Sequence, residues 1–146
     1  MPVAQDSLIL DAIEAQLKTL PWAKVVETEN IRLHFSDLGE HECPYLQVYD
    51  NGQVFEHQRG EVLTRWQVAV ELALRSSSEN IVNMRTLLNY RQDVEQCIGS
   101  KVNLGIPGVI NVLYLSNQPD IQIVKPFYVT ILLFEVVYRK RYVSDC

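Results

Sequence analysis

The fifteen residues EVLTRWQVAVELALR, Glu61 to Arg75, run without a Gly or a Pro. Ala, Leu, Glu and Arg are good helix formers, so propensity alone points to a helix. The spacing of the large apolar residues points elsewhere. Trp66, Val68, Val70, Leu72 and Leu74 fall on every second position, with Gln67, Ala69, Glu71 and Ala73 between them. At about 100° per residue those five would spread around a helix and leave no polar face. The stretch therefore reads as a long strand with one buried face.

A second long strand closes the chain. FYVTILLFEVVYRKR, residues 127 to 141, is β-branched and aromatic throughout. Phe127, Val129, Ile131, Leu133 and Val137 take one side; Tyr128, Leu132, Phe134, Val136 and Tyr138 take the other. A strand that is apolar on both sides is normally covered on both, and this is the expectation for it.

The remaining elements fall around these two. Asp6 and Ser7 offer caps to a helix ending near Leu20, with Ile9, Ile13, Leu17 and Leu20 on one face and Pro21 as its stop. Lys24–Thr28 and Ile31–Phe35 read as short strands, and Ser36–Pro44 as a polar loop. In YLQVYDNGQVFEHQ, Asn51-Gly52 separates two runs of β-formers, which predicts a tight hairpin of Tyr45–Tyr49 with Gln53–Gln58. Ser76 to Asn80 break the long strand and cap a second helix, Ile81 to Ile98. Its apolar stripe is Met84, Leu87, Leu88, Val94 and Ile98, and Gly99 ends it. A glycine-bearing loop leads to a strand at Val109–Leu115. Asn117 to Asp120 read as a turn, and Ile121–Lys125 as another short strand.

The fold class that follows is α+β: an antiparallel or mixed sheet with long strands and a hairpin, packed against two main helices. A chain of 146 residues is one domain, spanning residues 1–146, and buries roughly 70% of its unfolded surface. Apolar residues are 47% and charged residues 21%, so disorder is not expected. The net charge of −5 argues against tight duplex binding, because an acidic surface releases no counterions from DNA. The longest apolar stretch, Val129 to Val137, holds Thr130 and Glu135 and falls short of the ~20 residues of a membrane helix, so no membrane partner is expected. The start of the chain lacks the basic and apolar regions of a signal peptide. Cys43, Cys97 and Cys146 read as reduced thiols.

Catalytic and metal chemistry find little support. His34, His41 and His57 are the only histidines, and His41-x-Cys43 is the only close pair of soft ligands; structural zinc uses two such pairs. No cysteine has a nucleophile signature around it. There is no G-x-S-x-G, H-E-x-x-H or phosphate-cradling loop, and the glycines of Gly105–Gly108 lack a following Lys-Ser/Thr. Asp93 and Glu95 sit two apart on a helix and diverge. Neither catalytic residues nor a cofactor are expected; the chain does not read as an enzyme.

The long strands carry the functional argument. Fifteen residues at ~3.3 Å each reach roughly 50 Å. A compact chain of this length has a radius of gyration of only about 15 Å. A strand that overhangs its own core is paired by something else or becomes an aggregation hazard, and other subunits are the economical partner. The surface residues this reading singles out are Asp50, Asn51 and Gly52 at the expected hairpin tip, Arg59 just beyond it, Trp66 as an interface anchor type, and Arg139 and Arg141 at the far end of the last strand. The run Arg139 to Arg141 also reads simply as a strand leaving the core into solvent.

The order and texture of the elements resemble the tail terminator (tail-completion, tail-to-head joining) proteins of tailed bacteriophages. The resemblance rests on the opening helix Asp6–Leu20, the strand EVLTRWQVAVELALR, the entry SSSEN into the helix IVNMRTLLNYRQDVEQCIG, the strand GVINVLYLS and the closing TILLFEVVYRKRY. It covers nearly the whole chain as a pattern and rests on no single motif. It implies a small subunit of a hexameric ring in the virion tail or neck, assembled in the host cytoplasm. Such a ring stops growth of the tail tube and docks the tail to the head connector or neck, while DNA passes through its lumen without specific binding. Another neck or head-closure adaptor is the neighbouring reading. A small cytoplasmic enzyme or ligand-binding domain is the reading from a different class.

Overall fold

The computed structural model describes residues 5–32, 39–76, 84–100, 103–119 and 127–140. In chain order the elements are helix α1 (Gln5–Leu17), strand β1 (Val25–Glu27), a single 3-10 turn (Glu40–Glu42), β2 (Tyr45–Gln58), β3 (Glu61–Arg75), helix α2 (Met84–Gly99), β4 (Val109–Pro119) and β5 (Phe127–Lys140). The fold is α+β. Five strands form one open mixed sheet in the order β1-β2-β3-β5-β4. Among the described strands only β1 runs parallel to its neighbour β2; every other pairing is antiparallel.

The period-two reading of β3 holds. Its even residues Trp66, Val68, Val70, Leu72 and Leu74 are buried in one core with Leu132, Phe134, Val136 and Tyr138 of β5. Ile9, Ile13 and Leu17 of α1 and Leu87, Val94 and Ile98 of α2 pack on that same face. Each helix thus supplies a stripe at four- and seven-residue spacing, which is what a helix lying on a sheet requires. Met84 and Leu88, expected in the α2 stripe, are exposed instead. Tyr90 takes part in their place: its ring stacks on Trp22 at 4.2 Å, and the Trp22 indole N–H donates to Asp93 at 2.9 Å.

The expected hairpin at Asn51-Gly52 does not form. β2 continues through it, and the connection to β3 is the two-residue turn Arg59-Gly60. Asp50 pairs with Val68 and Gln53 with Trp66, so Asn51 and Gly52 oppose the single residue Gln67. That is a bulge, and it asks of its residues the same positive φ as a tight turn. Gly52 has φ +104° and Gly60 +69°. Two polar contacts pin the bulge: Asp50 accepts from the Gly52 N–H and from the Trp66 indole N–H, both at 2.8 Å. A Cβ at Gly52 would meet nothing within 4 Å. Gly52→Ala should therefore cost only conformational energy, about 1–2 kcal/mol. A urea midpoint unchanged from the parent would contradict this account of the bulge.

Two further expectations need correcting. The turn predicted at Asn117–Asp120 is strand as far as Pro119, where β4 pairs with Thr130. Proline gives no N–H to a ladder, and an edge strand such as β4 is where a sheet tolerates it. Among the described residues, α1 and α2 both lie on one face of β5, so the expected helical cover on both sides is not found there. Ile31 and Arg32 form no strand, and the rest of the segment Ile31–Phe35 lies outside the described residues, as do Ile121–Lys125 and the start of the second helix before Met84.

Candidate assembly surface

With both helices on one face, the other face of the sheet is left uncovered along part of its length by the described residues. The odd residues of β3 and β5 point there. Ala69 and Ala73 are small and buried by their neighbours; Gln67, Glu71, Ile131, Leu133 and Glu135 are only half buried. Alternation between small, polar and aliphatic groups explains why this face is neither a second core nor a fully solvated one.

One end of this face is closed by the chain itself. Gln47 is 1% exposed, a rare position for an unpartnered amide. Its side chain accepts from the Arg32 backbone N–H at 2.9 Å and donates to the Arg32 carbonyl at 3.0 Å. It also donates to the Glu71 carboxylate, and accepts from the Tyr45 hydroxyl at 3.3 Å. The Arg32 guanidinium bonds Glu42 at 2.8 Å and lies 5.5 Å above the Tyr45 ring. These contacts hold residues around Arg32 across β2. Beneath them Cys43, Tyr45, Ala73 and Val129 form a small second cluster. Burial raises the Cys43 thiol pKa to about 11. Such a thiol is a structural hydrophobe and a poor nucleophile at neutral pH.

At the opposite end, β2 beyond its bulge is exposed from Val54 to Gln58. Among the described residues it pairs with β3 on one side only, since β1 reaches no further than Gln47. On its helix-side surface a clamp ties this end together. The Tyr138 hydroxyl donates to Asp6, and the Gln53 amide donates to both Asp6 and the Tyr138 oxygen at 3.1 Å. Burial, with the Asp6 carboxylate beside it, pushes the Tyr138 phenol well above its ordinary pKa. On the open face Arg65 bonds Glu135 at 3.2 Å, and Arg139 lies 3.9 Å from Glu61.

The residues singled out from the sequence are scattered across this geometry. Asp50, Asn51 and Gly52 form the bulge in mid-strand, away from any tip. Arg59 is at the actual tip and is exposed. Trp66 is 5% exposed and sits in the core under the helices, so its side chain supports the bulge from inside. Arg139 is exposed on β5. Arg141 lies outside the described residues. Sequence reasoning passed over a different set. Of the eight large apolar side chains exposed among the described residues, five are Val54 and Phe55 of β2 and Ile110, Leu113 and Leu115 of β4. Their signal was adjacent apolar residues in strands that lie at the sheet margins.

Among the described residues no group of three His, Cys, Asp or Glu gathers as a metal site, and no helix is long and apolar enough to cross a membrane. The depression between α2 and β4, lined by Leu88, Arg91, Gln92, Glu95 and Asn117, is open to solvent. Nothing in it pairs a nucleophile with a base.

No family model matches the chain, and no curated protein matches it in sequence. Among solved structures it is similar to a chain described as "Virion of native gene transfer agent (GTA) particle", with a TM-score of 0.69 at 11% identity. The likeness covers 95% of this chain and 100% of that one. At this identity what the two share is the fold, end to end.

Proposed function

We propose that the chain is a structural subunit of a virion of the tailed-phage kind, and within that class a tail terminator. The observation that carries this reading is the end-to-end likeness to a chain of a gene transfer agent virion, with no segment of that chain left over. The open sheet supports it. Among the described residues, a face without helices, strand edges without a partner strand and exposed apolar side chains on those edges suit a protein completed by its neighbours. In this reading six copies form a ring that ends the tail tube on one side and meets the head connector or neck on the other. DNA crosses the lumen, and the net charge of −5 favours passage over adhesion.

Light scattering of the purified chain across concentration tests the ring. A hexamer of 16.8 kDa chains has a mass of about 100 kDa. Deleting the gene in a particle-producing host tests the role. Headless tails of unregulated length, seen by electron microscopy, are the expected result. Tails of normal length that simply fail to join heads would overturn the terminator role and favour a neck adaptor.

A further inference from the structure

The two margins of the sheet complement each other. Among the described residues, nothing pairs with the outer edge of β2 beyond Gln47 or with the outer edge of β4. β2 is antiparallel to β3, β3 to β5 and β5 to β4, so β4 runs opposite to β2. If the sheet continues from one copy into the next, β4 meets the neighbour's β2 as an antiparallel pair, which is the more stable kind of pairing.

The side chains agree with that arrangement. Val54 is in register with Arg65, and Leu113 with Glu135. Arg65 and Glu135 bond each other on the helix-free face, so Val54 and Leu113 occupy that face too. They are 66% and 40% exposed. Edge strands are commonly blunted by Lys, Pro or bulges. Gln53 to Gln58 carry none of these, and Asn111 to Tyr114 of β4 keep unbroken register with β5 between two bulges.

We propose that the β2 edge from Gln53 to Gln58 receives the Asn111–Tyr114 edge of β4 from a second copy of this chain, bringing Val54 and the partner copy's Leu113 side by side. The contact joins two different edges, so it propagates from copy to copy and either closes into a ring or extends as a filament. It names the subunit contact for the assembling protein proposed above and rests on that reading.

Single cysteines test it. Val54→Cys and Leu113→Cys are each placed in a chain carrying Cys97→Ser and Cys146→Ser, with buried Cys43 retained. A short bismaleimide is added after the two variants are dissociated, mixed and reassembled. At least tenfold more covalent dimer is expected from the mixture than from either variant alone. In parallel, Val54→Lys and Leu113→Lys should each shift the light-scattering mass toward a monomer without changing the circular dichroism. Linked dimer from Val54→Cys alone would overturn the proposal in favour of a two-fold contact. An assembly unchanged by both lysines and unlinked in the mixture would overturn it in favour of another surface, and would leave the virion role to be decided by tail length. A parent chain that stays monomeric at every concentration would overturn the edge contact as well.

Discussion

Phe134→Ala should lower stability by about 3–5 kcal/mol. Phe134 is fully buried on β5, in register with Val68 on one side and Tyr114 on the other. Its ring lies 5.1 Å from that of Tyr114. It therefore joins the central strand to the edge strand beneath the helices. Truncation removes a large apolar surface and leaves a cavity that neighbours on both sides, fixed by strand register, cannot close. For a chain of this size the melting temperature should drop by roughly 10 °C. Phe55→Ala, at a half-exposed ring on the β2 edge, should cost under about 1 kcal/mol in the isolated chain. Urea unfolding of both variants checks the contrast; similar penalties at the two sites would contradict the placement of the core.

Stability should also fall between pH 9 and pH 11. The Cys43 thiol is held protonated by burial, and secondarily by the Glu42 carboxylate, up to a pKa of about 11 against 9.0 for a free thiol. Below pH 9 the folded and unfolded chains both keep the proton and the contribution is complete. Above it the unfolded chain ionises first, and folding loses about 2–3 kcal/mol by the time pH passes the folded value. Tyr138 and Tyr45 are pushed in the same direction, mainly by burial, and add to the loss once pH exceeds 10. The urea midpoint measured from pH 8 to 11 should decline, and Cys43→Ala should reduce the early part of the decline, to which the Cys97 thiol, also raised by burial, contributes. A level midpoint over that range would contradict the burial of these groups.

Much of this architecture is legible in the chain, for identifiable reasons. β3 declares itself because one face is buried along its whole length, so the alternation is unbroken from Trp66 to Leu74. α1 does so because Ile9, Ile13 and Leu17 all face the sheet. The hairpin was misplaced because Asn51-Gly52 reports a requirement for positive φ, and a bulge and a tight turn make that same requirement. Arg59-Gly60 carries only half of the usual turn signal. Met84 and Leu88 sit at helical spacing with the buried stripe, yet both are exposed, so the apolar spacing is wider than the face that α2 buries. The open face escaped notice because aliphatic residues on both sides of β5 look alike whether the second cover is a helix, a strap such as the residues around Arg32, or another molecule. The edge residues Val54 and Leu113 were hidden for a related reason. An apolar residue in a strand reads as core until the strand order is known.

That strand order sets a timetable. β5 is made after every other described strand, yet it lies between β3 and β4. Until it arrives, the longest apolar strand of the protein has one unsatisfied flank and the helices have half a floor. Early synthesis can yield little more than the β2–β3 ribbon, and the decisive pairing spans about half the chain. Folding of this kind is slow, and exposed to misassembly while incomplete. The Tyr138–Asp6 bond, which joins β5 to α1, can form only once β5 has been made. The free margins of β2 and β4 therefore take their final form only after β5 is in place, and association of chains that still lack it is the hazard of such an order.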